Sequence, residues 1–357
     1  MAGTSATRAI RPRTTARTLI FILISLAVFS QGAAVAATSR GPRPLPQPAS
    51  SASTTGGQDA PPASAAPVPP APPFAVGLRV MRLVDGSRSV RLRGGRTEAR
   101  TLLTYVRYPA IGPPGASDLP GASAARAGGP YPLIVFGHGF AVTPRTYAHL
   151  LRGLTRAGFV VAAPEFPLAS ADAPDGPDES DLINQPTDMS FTISRLLAAS
   201  TTPGDPLAGL IDRAHIAVAG QSDGAMTALA VAYSRRFRDR RVGAAVIMSG
   251  AEMGGVGGFS FGRGTPPLLA IQGTADTSNE PRFTYQYFGA ASHPKYLLRL
   301  LGAGHLPPYT REQPQLATVE RVSSAFLDGY LKNSPAALGL LASLGDVPRE
   351  ASLVSDP

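Results

Sequence analysis

The chain has 357 residues, 43% of them hydrophobic, with 38 Gly, 36 Pro, no Cys and no Trp. Without Cys there can be no disulfide framework, thiolate metal site or cysteine nucleophile, so any chemistry must use oxygen and nitrogen groups. The formal charge of +9 is almost wholly Arg, since Lys occurs only at Lys295 and Lys332; the basic residues are scattered, which argues against a nucleic-acid footprint.

At the N-terminus, residues 1–37 carry Arg8, Arg11, Arg13 and Arg17, then the apolar run Leu19–Phe29, then Ala34-Val35-Ala36-Ala37. That is the order of a secretory signal peptide. The run falls short of the roughly 20 residues needed to cross about 30 Å of hydrocarbon, so cleavage and export are expected over a retained signal anchor, with no stable membrane span afterwards. Removing this segment, which has no acidic residue, leaves a formal charge of +5. Residues 38–73 are Pro, Ala, Ser and Gly with almost no large apolar side chain, and read as a disordered linker. A catalytic domain is expected over 74–335, followed by a C-terminal tail over 336–357.

Within the domain, Val76–Val84 and Thr101–Tyr108 read as antiparallel strands, with turn signals at Asp85-Gly86 and Gly94-Gly95 between them. Six short apolar runs follow: Leu133–Phe136, Phe159–Ala163, Ile216–Ala219, Ala244–Met248, Leu268–Ile271 and Tyr296–Leu301. Helical stretches are expected at Pro144–Arg156, Thr187–Ala199, Ser222–Arg236, Pro281–Ala290 and Leu316–Leu331. Apolar strands alternating with helices predict an α/β fold with a mostly parallel, doubly wound sheet and antiparallel N-terminal edge strands. In such sheets ligands bind beyond the carboxyl ends of the strands.

After Ile216–Ala219 comes Gly220-Gln221-Ser222-Asp223-Gly224, directly followed by a helical stretch. A G-x-S-x-G pattern in strand-turn-helix context marks Ser222 as a candidate nucleophile on a tight elbow. Gly258-Phe259-Ser260-Phe261-Gly262 fits the same pattern, but no strand leads into it, and Ser260 is assigned to a loop. A serine hydroxyl needs an imidazole to take its proton and an acid to orient that imidazole. His305, reached through Gly302-Ala303-Gly304 after a strand, is the expected base; His293 precedes that strand, at the opposite edge. Asp276, in the loop after Leu268–Ile271, is the expected acid, with Glu280 and Glu252 as substitutes. Gly137-His138-Gly139-Phe140 follows another strand, so the backbone N–H groups of Phe140 and Asp223 are the expected oxyanion donors. His138 reads as a strut shaping that loop, and the Asp223 side chain is given no catalytic part. No cluster has metal-ligand spacing, and no metal or cofactor is expected.

With these residues in place, the region from Phe74 to Pro335 resembles the α/β-hydrolase superfamily. Tyr108-Pro109 and Gly137-His138-Gly139-Phe140 are similar to the branch of chlorophyllase-like, dienelactone-hydrolase-like and platelet-activating-factor acetylhydrolase-like enzymes. The resemblance implies carboxylic ester hydrolysis by Ser222, His305 and Asp276 through an acyl-enzyme. Dienelactone hydrolases proper use Cys where this chain has Ser222. Secreted polyester hydrolases share the layout but commonly carry Trp and a disulfide, both absent here. Phe140, Phe259, Phe261 and Tyr309 are expected to line an apolar site for a small-molecule or lipid ester, the alternative being that the loop phenylalanines only pack their loop down. No large lid is expected. Acyl transfer with the same residues, polyester cleavage and peptide hydrolysis remain open alternatives.

Overall fold

The structure, a computed structural model, describes residues 73–357. The expected signal peptide and nearly all of the linker lie outside the described residues. The chain enters through a long hairpin, β1 (Ala75–Arg91) and β2 (Thr97–Ala110), paired antiparallel from Ala75↔Ala110 to Arg91↔Thr97. Gly94-Gly95 makes its turn, but Asp85-Gly86 does not make a second one. The register shifts between Asp85 and Ser89, and the Asp85 carboxylate accepts the Ser87 N–H at 3.0 Å, which absorbs the irregularity as a bulge inside β1.

The remaining elements follow as β3 (Leu119–Pro120), β4 (Tyr131–Gly137), α1 (Ala148–Arg156), β5 (Val160–Glu165), α2 (Gln185–Thr201), β6 (Ile211–Gln221) and α3 (Asp223–Tyr233). Then come β7 (Val242–Met248), β8 (Leu268–Gly273), α4 (Pro281–Ala290), β9 (Lys295–Leu300), α5 (Gln315–Leu331), α6 (Pro335–Gly345) and β10 (Ala351–Asp356). One sheet runs in the order β10-β9-β8-β7-β6-β4-β5-β2-β1-β3. From β5 to β9 every neighbouring pair is parallel, while β2 joins β5 antiparallel.

Both faces of this sheet are covered, which is why its strands are apolar at successive positions. All seven residues of β4 are buried. Val135, Val218 and Ile247 pack on one face against Ile193 and Leu196 of α2 and Leu229 of α3. Ile134, Phe136 and Val246 pack on the other against Leu150 and Leu154 of α1 and Val319 and Phe326 of α5.

The domain extends beyond residue 335. Residues 336–357, expected as a tail, complete it: Ser334 caps α6 by accepting the Ala337 N–H, Leu341 is buried, and β10 pairs antiparallel with β9 from Ala351↔Leu300 to Asp356↔Lys295. The physical reason is that β9 would otherwise end the sheet as an open edge, and β10 covers it. The longest connections at the carboxyl edge, residues 166–184 and 249–267, hold no α-helix; the first contains a 3-10 turn at Glu179–Asn184. No helix among the described residues is long and apolar enough to cross a membrane.

Candidate active site

The carboxyl ends of β4, β6, β7, β8 and the loop after β9 meet at one edge, and the hydroxyl of Ser222 lies there. Ser222 has φ 57° and ψ −124°, a conformation few non-glycine residues adopt, between the end of β6 and the start of α3. Its strain is held by close packing: a Cβ on Gly224 would lie 2.0 Å from the Gly137 carbonyl oxygen. Helix α3 can press against β4 this closely only with glycine at 224.

Ser222 Oγ and His305 Nε2 are 2.9 Å apart, and His305 Nδ1 is 2.8 Å from Asp276 Oδ2. Asp276 is buried, with its other oxygen accepting the N–H groups of Ser278 and Asn279 at 2.9 and 2.8 Å. Burial pushes its carboxyl up, but the hydrogen bond and charge of His305 and the Asn279 N–H outweigh that and hold it below the usual carboxylate range. An ionised Asp276 fixes the proton of His305 on Nδ1 and leaves Nε2 free to accept from Ser222. The substitute acids lie elsewhere in the fold: Glu280 precedes α4 on the surface beside Arg282, and Glu252 makes no ion pair among the described residues. His293 is exposed near Asp356.

The loop after β4 packs directly on the serine, since a Cβ on Gly139 would lie 3.2 Å from Ser222 Cβ. Neither the Phe140 nor the Asp223 N–H has an acceptor within the described residues, so both are free to bind an incoming oxygen. His138 shapes this loop. Its Nε2 accepts the Phe166 N–H at 2.9 Å, so Nδ1 carries the proton and donates to the Gly139 carbonyl at 2.8 Å. Burial, partly opposed by the Gly139 carbonyl, lowers its pKa to about 4, so the ring stays neutral.

Three of the four expected substrate contacts are not at this site. Phe259 and Phe261 stack on each other with centroids 5.8 Å apart, and Phe261 packs on Tyr233 at 5.2 Å. Tyr233 ends α3, whose eleven residues place it about 16 Å from Ser222. Ser260 goes with them, its N–H donated to the Tyr233 carbonyl. The cause is the loop's own geometry: it bridges Ser234 to Phe259 and so folds onto the far end of the helix. Tyr309 is also displaced. A 3-10 turn at Pro307–Tyr309 aims it into the core, where its hydroxyl bonds Ser249 Oγ at 2.9 Å and donates to the Ile271 carbonyl. Only Phe140 remains at the site, half-buried.

Two residues not anticipated from sequence connect the site. Gln221 donates from Nε2 to the His305 carbonyl at 2.9 Å and accepts from the Tyr147 hydroxyl at 2.7 Å. The Tyr147 hydroxyl in turn accepts the Gly139 N–H at 3.1 Å. One side-chain chain thus joins the loop of His305 to the loop of Phe140. The available signal was a polar residue closing the apolar run that starts at Ile216.

A mostly parallel sheet carrying a serine on a strained strand-helix elbow, with a histidine and an acid after later strands, is the architecture of the α/β-hydrolase fold. Residues 122–267 match a family model described as chlorophyllase. That span takes in His138, Phe140 and Ser222 and stops before Asp276 and His305. A ferulic acid esterase from Streptomyces cinnamoneus shares the fold at 21% identity and a TM-score of 0.59, over 80% of this chain and 98% of that one. No curated protein matches the sequence.

Proposed function

We propose that this protein is an exported serine hydrolase that cleaves carboxylic esters through an acyl-Ser222 intermediate. The observation that carries the reading is the hydrogen-bonded sequence Ser222 Oγ, His305 Nε2, His305 Nδ1 and Asp276 Oδ2, at 2.9 and 2.8 Å. In the first half-reaction Ser222 Oγ bonds the ester carbonyl carbon while its proton passes to His305 Nε2. The carbonyl oxygen becomes an oxyanion, for which the Phe140 and Asp223 N–H groups are the fixed donors, each contributing about 3 kcal/mol in comparable sites. The alkoxy group leaves with the proton from Nε2, producing the alcohol and the acyl-enzyme. A water then adds to the acyl carbon, gives its proton to Nε2, and the acid departs as Ser222 recovers its own. Asp276 stays ionised throughout and stabilises the imidazolium.

The matched family's description and the name of the structural relative, an esterase, support ester chemistry, and the basic-apolar-small order of residues 1–37 supports export. A panel of p-nitrophenyl esters of increasing acyl length tests the reading. Turnover should fall at least about 10³-fold in Ser222→Ala; equal turnover by both proteins overturns it. N-terminal sequencing of protein recovered from the medium, expected to begin at about residue 37 or 38, tests export.

A further inference from the structure

The residue after the serine is an acid with no partner. Asp223 is 7% exposed at the start of α3, its Oδ2 is shielded from solvent, and that oxygen makes no hydrogen bond within the described residues. Nor does Asp223 enter a salt bridge there. A buried carboxyl oxygen left unpaired is costly, and more so when ionised, yet no Ser, Asn or Arg among the described residues is placed to satisfy it. The charged and titratable groups acting on it come from three sides: Glu179 in the 3-10 turn, His305 after β9 and Tyr147 before α1. Two of these border the reacting atoms. The carboxyl is thus one residue from the Ser222–His305 pair, on a helix whose first turn also packs against the turn bearing Glu179, where a substrate group can supply the missing partner.

Resting on the ester-hydrolase reading above, we propose that Asp223, with Glu179, forms a subsite for a cationic group carried by the ester substrate. The chemistry fits a positive charge and not a negative one. Glu179 opposes a second negative charge, and no Lys or Arg pairs with Asp223, so an anionic ester would meet repulsion whereas an ammonium group relieves it. Burial, reinforced by Glu179 and offset in part by His305, raises the Asp223 carboxyl to about 7, so a bound cation would draw it into the ionised state. Recognition should then strengthen as pH rises through 7.

The test compares butyrylcholine with 3,3-dimethylbutyl butyrate, two esters of the same shape in which a quaternary nitrogen replaces a carbon. Wild type should favour the choline ester in kcat/KM, with a ratio that increases from pH 6 to 8. In Asp223→Asn that ratio should fall by about tenfold and lose its pH dependence. Glu179→Gln, on an exposed turn where folding is not at stake, should lower it by a smaller factor. A ratio that is the same in wild type and both variants overturns the cationic subsite while leaving the hydrolase reading intact. Failure of wild type to turn over either ester while it still cleaves p-nitrophenyl butyrate overturns the cationic subsite alone; failure on all three overturns the hydrolase reading with it.

Discussion

Gln221 shows how much a single side chain next to Ser222 can hold in place. It touches no reacting atom of an ester, yet it ties the His305 backbone to Tyr147 and, through it, to Gly139. It is a positioning residue, so Gln221→Leu should lower kcat about tenfold with KM nearly unchanged, whereas Gln221→Glu, which keeps the acceptor, should differ from Leu in its pH profile; steady-state kinetics across pH checks this. Asp223 makes a thermodynamic prediction at the same scale. Its folded value of about 7 lies above an unfolded value near 4, so between those pH values the folded chain holds a proton that the unfolded chain has lost. Stability must therefore fall with rising pH across that window, by up to about 1.4 kcal/mol per pH unit, and level off above it. Glu320, raised to about 7 chiefly by burial and only partly opposed by nearby Arg side chains, acts with the same sign. Urea melts of Asp223→Asn should show a shallower decline, and the double variant carrying Glu320→Gln one shallower still.

Among the elements, the β1–β2 hairpin does more than edge the sheet. Leu103 pairs with Glu165, the last residue of β5, so residues 97–102 of β2 run on past the carboxyl edge. There Arg100, buried, makes a paired contact with Asp181 at 2.9 and 2.7 Å and a further bond to Asp188 of α2 at 2.6 Å. Arg88 of β1 adds an ion pair to Asp188 at 2.8 Å. The hairpin thereby clamps the turn that bears Glu179, while Leu182 and Ile183 of that turn pack near Met253 and Met226 over the first turns of α3. Arg100→Met should leave the buried Asp181 without its cation and Asp188 with Arg88 alone, destabilising the protein by about 3–5 kcal/mol, measured by urea unfolding. Replacing all three groups, Arg100→Met with Asp181→Asn and Asp188→Asn, should recover a large part of that loss. At α3, Gly224→Ala should displace the Gly137–Phe140 loop and reduce kcat strongly, because its Cβ has no room beside β4.

For the molecule as a whole, the parallel part of the sheet is flanked on both sides by antiparallel pairings, β10 on β9 and β2 on β5. β10 covers β9, and Leu341 of α6 is packed in the core formed by α5 and the sheet. Truncation after Asn333 should expose the β9 edge and this apolar surface together, lowering the melting temperature and promoting association. Thermal melts combined with size-exclusion chromatography check both effects, and an unchanged melt with a monomeric profile would contradict the role given to these elements.

Local pattern was enough for much of this. The parallel strands were legible because a strand buried on both faces is apolar without interruption, and Ser222, Asp276 and His305 were legible because each follows such a strand within a few residues. What pattern could not carry was anything depending on which distant surfaces touch. Phe259 and Phe261 looked like site residues until the loop folded onto the far end of α3, and Tyr309 looked accessible until its turn aimed it at Ser249. Gln221 acquires its meaning only from partners 74 and 84 residues away, the unpaired acid at 223 from groups on other elements, and β10 is a strand only because β9 offers it an edge. Hydrophobic periodicity is a property of the chain, but partnership between polar groups is a property of the packed molecule.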